Sequence, residues 1–299
     1  VFLQKQADSS IKNPESFEQQ ALSLVGKNLY NAFFKGYTQK QWGVSPKQLP
    51  ASILKRLPVR FNYNDNYFFH KYQGMPKHGY TKLVENILDH KNILISLNTE
   101  FDVSNLDISR NKKNKNNLGY DAEYEHIFYS GCIDEFFEYE LGVLGYRTLD
   151  FEKFYAEGDY QGCAVLNYCD EKVPFTRITE HKYFSPWDLK KNNNNSTDPV
   201  CYSVCYKEFS REYKIGDIPY YPIRLLEEKK LLQDYVAKAH NFNLNKKPGS
   251  PGVSFIGRLG TYRYLDMDVT IHEALKAASE YLDKIKNADI VPAFFEDPL

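Results

Sequence analysis

The sequence predicts an α/β (α+β) protein of one or two domains, and three observations carry that prediction. The opening fifty residues repeat apolar side chains at helical spacing. A central stretch alternates aromatic and polar residues, as antiparallel strands do. Two short apolar runs ending in glycine, near residues 126 and 254, read as strands of a parallel dinucleotide-binding type of sheet whose remaining strands are hard to find. At 299 residues the chain has ample length for a buried core.

In chain order, Pro14-Glu15-Ser16-Phe17-Glu18 reads as a helix entry. Phe17, Ala21, Leu24, Val25, Leu29, Ala32 and Phe33 then recur at i, i+3/i+4, with Gly26 dividing two helices. Ser45 to Leu57 fits a further helix, with Pro46 early enough that its missing N–H costs little. Pro58 ends it, and Val59 to Tyr63 is extended or looped. TKLVENILDH then reads as helix and ILISLN (Ile93 to Asn98) as strand, before a polar, low-complexity connection over 103–118. HIFYSG (His126 to Gly131) reads as a buried strand and glycine turn. From Tyr146 to Phe184, YRTLDFEKFYAE, QGCAVLNYCD and FTRITEHKYF suggest an antiparallel meander. After a loop-like insertion (Lys190 to Pro199) come the strand CYSVCYKEF, Tyr221-Pro222, the helix LLEEKKLLQDYVAKA, the strand and turn VSFIGRLG, and the helix VTIHEALKAASEYLDKI. The expected division is a helical region over 1–75, part of a dinucleotide-type sheet over 76–145, an antiparallel sheet over 146–225, and closing helices with a strand and turn over 226–299.

Bulk properties narrow the function. A formal charge of −1 gives no electrostatic footprint for nucleic acid or an anionic membrane. No apolar run approaches the ~18–20 residues of a membrane span. Five cysteines without a CxxC pair, and seven histidines without a metal-binding spacing, argue for reduced cytoplasmic thiols and against a metal. The 24 Tyr and 20 Phe suit stackable polar ligands as well as core. Phe33 to Tyr67 concentrates Phe33, Phe34, Tyr37, Trp42, Arg56, Arg60, Phe61, Tyr63 and Tyr67. Such a span is either an aromatic helix end with a solvated basic loop, or a site where rings stack on a base or sugar and guanidinium forks hold a diphosphate.

Two stretches carry a family resemblance. GYTQKQWG (Gly36 to Gly43), with LPASILKRLPVRF (Leu49 to Phe61) and NYF (Asn66 to Phe68), resembles the substrate-side signature of UDP-galactopyranose mutases. FIGRLGTYRYLDMDVTI (Phe255 to Ile271) resembles the segment closing their flavin site. YQGMPKHGYTKL, VPFTRITEHKYF and GDIPYYPI fall between them in family order. The resemblance implies an incomplete Rossmann-like FAD-binding domain with a helical insertion domain and an antiparallel β-sheet domain. The GxGxxG turn that opens such a sheet is absent from the sequence. It therefore also implies a chain truncated at its N-terminus.

The implied activity is interconversion of UDP-galactopyranose and UDP-galactofuranose by covalent catalysis from N5 of reduced FAD, in a cytoplasmic homodimer serving galactofuranose and cell-surface polysaccharide biosynthesis. By resemblance, Arg56 and Arg177 hold the diphosphate, and Tyr67, Tyr221 and Tyr264 hydrogen-bond phosphate oxygens. Phe33 and Tyr37 flank uracil, Thr38 and Trp42 line the ribose and galactose side, and Asn167 lies near the nucleotide. Glu208 stands near the reaction centre, although an exposed strand glutamate is an equal reading. Arg258, Tyr264, Asp266 and Met267 lie along the flavin. Thr261 stands where the bacterial pattern is more often acidic. Rival readings are a mutase acting on UDP-N-acetylgalactosamine, a flavin amine-oxidase-like enzyme, and a non-catalytic nucleotide-sugar-binding fragment.

Overall fold

A computed structural model describes residues 5–55, 62–64, 66, 68, 70–99, 101, 124–184, 202–225, 228–246 and 250–299. The chain forms two compact units: Val1–Ile93 with Arg147–Tyr220, and Leu94–Tyr146 with Tyr221–Leu299.

The first unit opens with helix α1 (Phe17–Leu29). Ser16 and Gln19 close a reciprocal capping box at its start, each side chain accepting from the other's backbone N–H. Phe17, Ala21 and Val25 form its buried face. Gly26, at φ +74°, breaks the run as expected; a Cβ there would lie 2.0 Å from the Gln6 carbonyl oxygen. A wider π-helical turn (Tyr30–Lys35) leads into α2 (Gly36–Trp42), which ends on Gly43 in the left-handed conformation.

Of the helix expected over Ser45–Leu57, residues 45–51 are not helical and α3 covers Ser52–Lys55, while residues 56 and 57 lie outside the described residues. Its intended first half pairs elsewhere. The Leu49 carbonyl accepts from Phe17 N–H at 2.8 Å, and Ala51 N–H donates to the Glu15 carbonyl at 2.9 Å. Helix α4 (Gly79–Leu88) forms as expected but buries no residue. Ile93–Asn98, expected as a strand, takes no ladder among the described residues, and Leu94 and Leu97 are exposed. β-propensity without a partner does not make a strand.

The first unit's sheet carries β2 (Tyr146–Glu157), β3 (Val165–Asn167), β4 (Arg177–Glu180) and β5 (Tyr202–Glu212), in the order β3-β4-β5-β2. All three pairings are antiparallel. The order departs from a simple meander, because β2 pairs with β5 rather than with its successor. The structure places three candidate positions and one further residue in one row: Asn167 opposite Arg177, Arg177 opposite Glu208, and Glu208 opposite Phe151. Directly opposed residues share a sheet face, so these side chains stand together.

In the second unit β1 (His126–Tyr129) and β7 (Gly252–Phe255) pair with each other in parallel. They are the two strands the sequence leaves without partners. Both end in glycine turns, at Gly131 and Gly257, and Gly257 (φ +72°) opens the short helix α7 (Gly257–Gly260). A Cβ on Gly260 would sit 2.8 Å from the Tyr129 carbonyl oxygen, so only glycine lets this helix approach the strand so closely. Phe136, Phe137, Phe255 and Phe294 build an aromatic core around the pair, with both edge-to-face and stacked or tilted contacts.

Helix α5 (Ile133–Phe136) follows β1; α6 (Lys229–Leu244) buries Leu232, Tyr235, Val236 and Ala239; α8 (Met267–Lys286) buries only Ala277. β6 is the two-residue strand Tyr221–Pro222. Among the described residues no helix is long and apolar enough to cross a membrane, and none of their His, Cys, Asp and Glu side chains group to hold a metal.

Candidate functional site

Helix α2 and strand β4 bring together two residues far apart in sequence. Arg177 Nη2 donates to the Tyr37 hydroxyl at 2.9 Å across 140 positions. Its Nε lies 3.1 Å from Glu208 Oε1, an ion pair rather than a well-aligned hydrogen bond. The Glu208 carboxylate is almost wholly buried, and the Arg177 side chain retains 27% of its surface. Thr176 steadies the pair from one side: its hydroxyl reaches the Glu208 carbonyl at 3.0 Å and Oε1 at 3.2 Å. A guanidinium so held presents a fixed fork, the geometry suited to carboxylate or phosphate oxygens.

Around this centre, Asn167 is exposed at the end of β3, directly opposite Arg177 in the strand register. Phe33 lies one helical turn before Tyr37 and is 57% exposed. Thr38 and Trp42 are buried. Phe151, at the far end of the Asn167–Arg177–Glu208 row, makes edge contacts with Tyr206 and Tyr220. Sequence reading passed over it, and only strand register reveals it. Arg56 and Tyr67 lie outside the described residues.

The second unit gathers a different set. Tyr221 on β6 and Tyr264 stack nearly parallel, with ring centroids 5.4 Å apart. The Arg258 guanidinium carbon lies 5.5 Å from the Tyr221 ring centre and 4.7 Å from that of Tyr264. Arg258 Nη2 also donates to the Leu265 carbonyl. Arg258 follows directly on the carboxyl ends of the parallel pair, where ligands of open α/β sheets bind. Asp266 sits in extended conformation (φ −80°, ψ 162°) before α8, with no side-chain cap to that helix start, and Met267 is 62% exposed.

This donor set fits a flavin. A guanidinium beside two aromatic faces and a helix N-terminus both favour a flat ring system that becomes anionic on reduction.

Three further polar residues escaped sequence reading. Lys40, inside GYTQKQWG, directs its ammonium to four backbone carbonyls, a role without a local signal. Arg147 is buried at the end of α2, donating from Nε to the Gln41 carbonyl and the Ser210 hydroxyl, both at 3.1 Å; burial lowers its pKa. Asp134 is fully buried, accepting from Leu144 N–H at 2.9 Å and the Tyr146 hydroxyl at 2.8 Å; burial raises its pKa. Beside it, burial pushes the Cys132 thiol up to about 12, which removes it as a nucleophile at neutral pH.

The fold and these clusters define a mixed α/β protein with arginine–tyrosine sites suited to anionic, ring-bearing ligands. Comparison with known proteins sharpens that class. Residues 32–264 match the family described as UDP-galactopyranose mutase, and the chain belongs to that family. It is 55% identical over 294 residues to a Klebsiella pneumoniae protein named "Probable UDP-galactopyranose mutase", covering 98% of this chain and 68% of the relative. It is 51% identical over 280 residues to the dTDP-fucopyranose mutase of Escherichia coli, covering 93% and 67%. A crystal structure of reduced UDP-galactopyranose mutase shares the fold at a TM-score of 0.61 and 13% identity, over 95% of this chain and 70% of that one.

Proposed function

We propose that this protein is an isomerase interconverting the pyranose and furanose forms of UDP-galactose with reduced FAD. The observation that carries the reading is the meeting of Tyr37 and Arg177 at 2.9 Å, since both come from separate family-like motifs. Arg177 binds diphosphate oxygens of the departing nucleotide, where fixed positive charge stabilises the leaving group. Glu208 and Thr176 hold Arg177 in place, and Glu208 positions protons at the reacting centre. Tyr37 and Phe33 flank uracil, Thr38 and Trp42 serve the ribose and galactose side, and Asn167 serves the nucleotide. Arg56 and Tyr67 complete the diphosphate contacts. Tyr221 and Tyr264 hydrogen-bond phosphate oxygens, while Arg258, Tyr264, Asp266 and Met267 hold the flavin. When bound, the reduced flavin supplies a nucleophilic nitrogen to the anomeric carbon.

We infer further that a GxGxxG-bearing, Rossmann-like segment completes the flavin site. Helix α8 supports this, because Ile271, Leu275, Leu282 and Ile285 leave an apolar face uncovered on a helix that buries only Ala277. The setting proposed is a cytoplasmic homodimer supplying cell-surface polysaccharide. The relative acting on dTDP-fucopyranose, at an identity close to that of the first, favours a second reading in which thymidine and 6-deoxy sugar replace uridine and galactose.

The test is turnover. The chain is loaded with FAD, reduced with dithionite, and assayed chromatographically with UDP-galactofuranose and dTDP-fucofuranose, alone and with a relative's opening segment fused in cis. Conversion of the uridine substrate supports the main reading, and preference for the thymidine one selects the second. A fused protein that retains flavin and converts neither sinks both, and nucleotide binding without turnover leaves a binding fragment.

A further inference from the structure

Lys40 carries an arrangement that the proposed chemistry does not use. Its ammonium lies 2.6 Å from the Tyr168 carbonyl oxygen, 2.9 Å from those of Asp170 and Val173, and 3.0 Å from that of Phe175. Four carbonyl dipoles converge on one point charge, as they would around a bound monovalent cation. All four belong to the loop joining β3 to β4, with Asn167 at its start and Arg177 at its end. One turn earlier on the same helix, Gly36 packs against that loop so closely that a Cβ would lie 2.4 Å from the Cys169 carbonyl oxygen. Tyr37, between them, accepts from Arg177.

The contact is specific. Surface lysines point into water, whereas this ammonium is surrounded by oxygens, and desolvation lowers its pKa. The Asp170 carbonyl also accepts from Val173 N–H at 3.2 Å, a turn of the loop that closes beside the ammonium. Without a cation, four dipoles of like orientation would face one another, and the loop would open to hydrate them.

We propose that Lys40 is a positioning residue: an internal cation that folds the Tyr168–Phe175 loop around itself and thereby fixes Arg177 for the diphosphate. The second half rests on the reading of Arg177 given above, while the first stands without it.

The test separates them. Amide exchange is followed across 165–178 in the wild type, Lys40→Met, Lys40→Arg and Lys40→Ala, the last with and without added ammonium or methylammonium chloride, with sodium chloride as the ionic-strength control. Tyr168 N–H, bonded to the Thr176 carbonyl at 2.9 Å, and Thr176 N–H, bonded to the Glu208 carbonyl at 2.8 Å, are the reporters. Expected is faster exchange at both in Lys40→Met and Lys40→Ala, partial protection in Lys40→Arg, and recovery in Lys40→Ala with ammonium but not with sodium. Unchanged exchange in Lys40→Met, or no recovery with either amine, overturns the proposal.

In parallel, affinities for UDP and for uridine are measured. Mispositioned Arg177 weakens UDP binding roughly tenfold and leaves uridine unchanged, whereas general loosening of the fold weakens both and overturns the positioning role. If the wild type binds UDP no better than uridine, the diphosphate role of Arg177 fails, and amide exchange alone then decides whether Lys40 holds the loop.

Discussion

Two arginines, one in each unit, are secured by different chemistry. Arg177 is held at its edge, by a carboxylate, a hydroxyl and strict strand register. Arg258 rests against the faces of Tyr221 and Tyr264 and donates to a nearby carbonyl. An edge-held guanidinium is directional, so its loss exposes a buried partner. A face-held one is positioned by shape and quadrupole, and its aromatic neighbours keep packing without it. The first arrangement buys orientation at the risk of a stranded charge, whereas the second tolerates change.

That contrast can be broken most forcefully at Arg177. Arg177→Ala strands the Glu208 carboxylate and is expected to cost about 3 kcal/mol of stability, as breaking a mostly buried ion pair does. Adding Glu208→Gln should restore part of the loss in chemical denaturation. Equal instability of the single and double variants would show that the pair is not coupled.

Next in size is Tyr146→Phe, which removes the hydroxyl that donates to Asp134 in the second unit. Roughly 2 kcal/mol is expected from an acceptor left short of a partner in a buried site. A melting curve unchanged from wild type would refute it.

For Arg258 the contrast predicts milder behaviour. Tyr264→Leu should cost about 1 kcal/mol, and its effect should shrink in an Arg258→Met background, because part of it is the ring–guanidinium contact. Strict additivity in that double-mutant cycle would mean the stacking carries no energy.

The last prediction is a pH dependence. Burial holds His126, 2.8 Å from the Ser254 hydroxyl, at a pKa of about 4, against an ordinary value of 6.5. The folded protein thus resists protonating it while the unfolded chain does not. Relative to His126→Gln, the wild type should lose stability as pH falls from 6.5 towards 4 and no further below. Measuring the difference between the two proteins isolates this from Asp134, whose raised pKa acts in the opposite direction. Parallel stability–pH curves would exclude it.

What could be read from the sequence follows from how local each signal is. The capping residues of α1, the break at Gly26 and the strands at His126 and Gly252 are written in neighbouring residues, and each appears in the structure. Ile93–Asn98 has strand composition, but a strand exists only with a partner. Ser45–Leu57 has helical spacing, yet Leu49 and Ala51 spend their backbone groups on the chain around Phe17. The grouping of Tyr37 with Arg177 was suggested by family-like motifs. The row extending to Phe151 required register, and Lys40 bonds to main-chain carbonyls whose side chains do not matter to it.

The π-helical turn at Tyr30–Lys35 has a consequence for how this molecule can vary. An i→i+5 turn accommodates more residues per revolution than the helices on either side, so it holds slack in chain length. Removing one residue there can be absorbed by tightening to ordinary pitch, with α2 still seated on its loop through Gly36 and Lys40. What changes is the azimuth of Phe33. The segment thus lets insertion or deletion redirect one exposed ring while the anchored Tyr37 stays where it is.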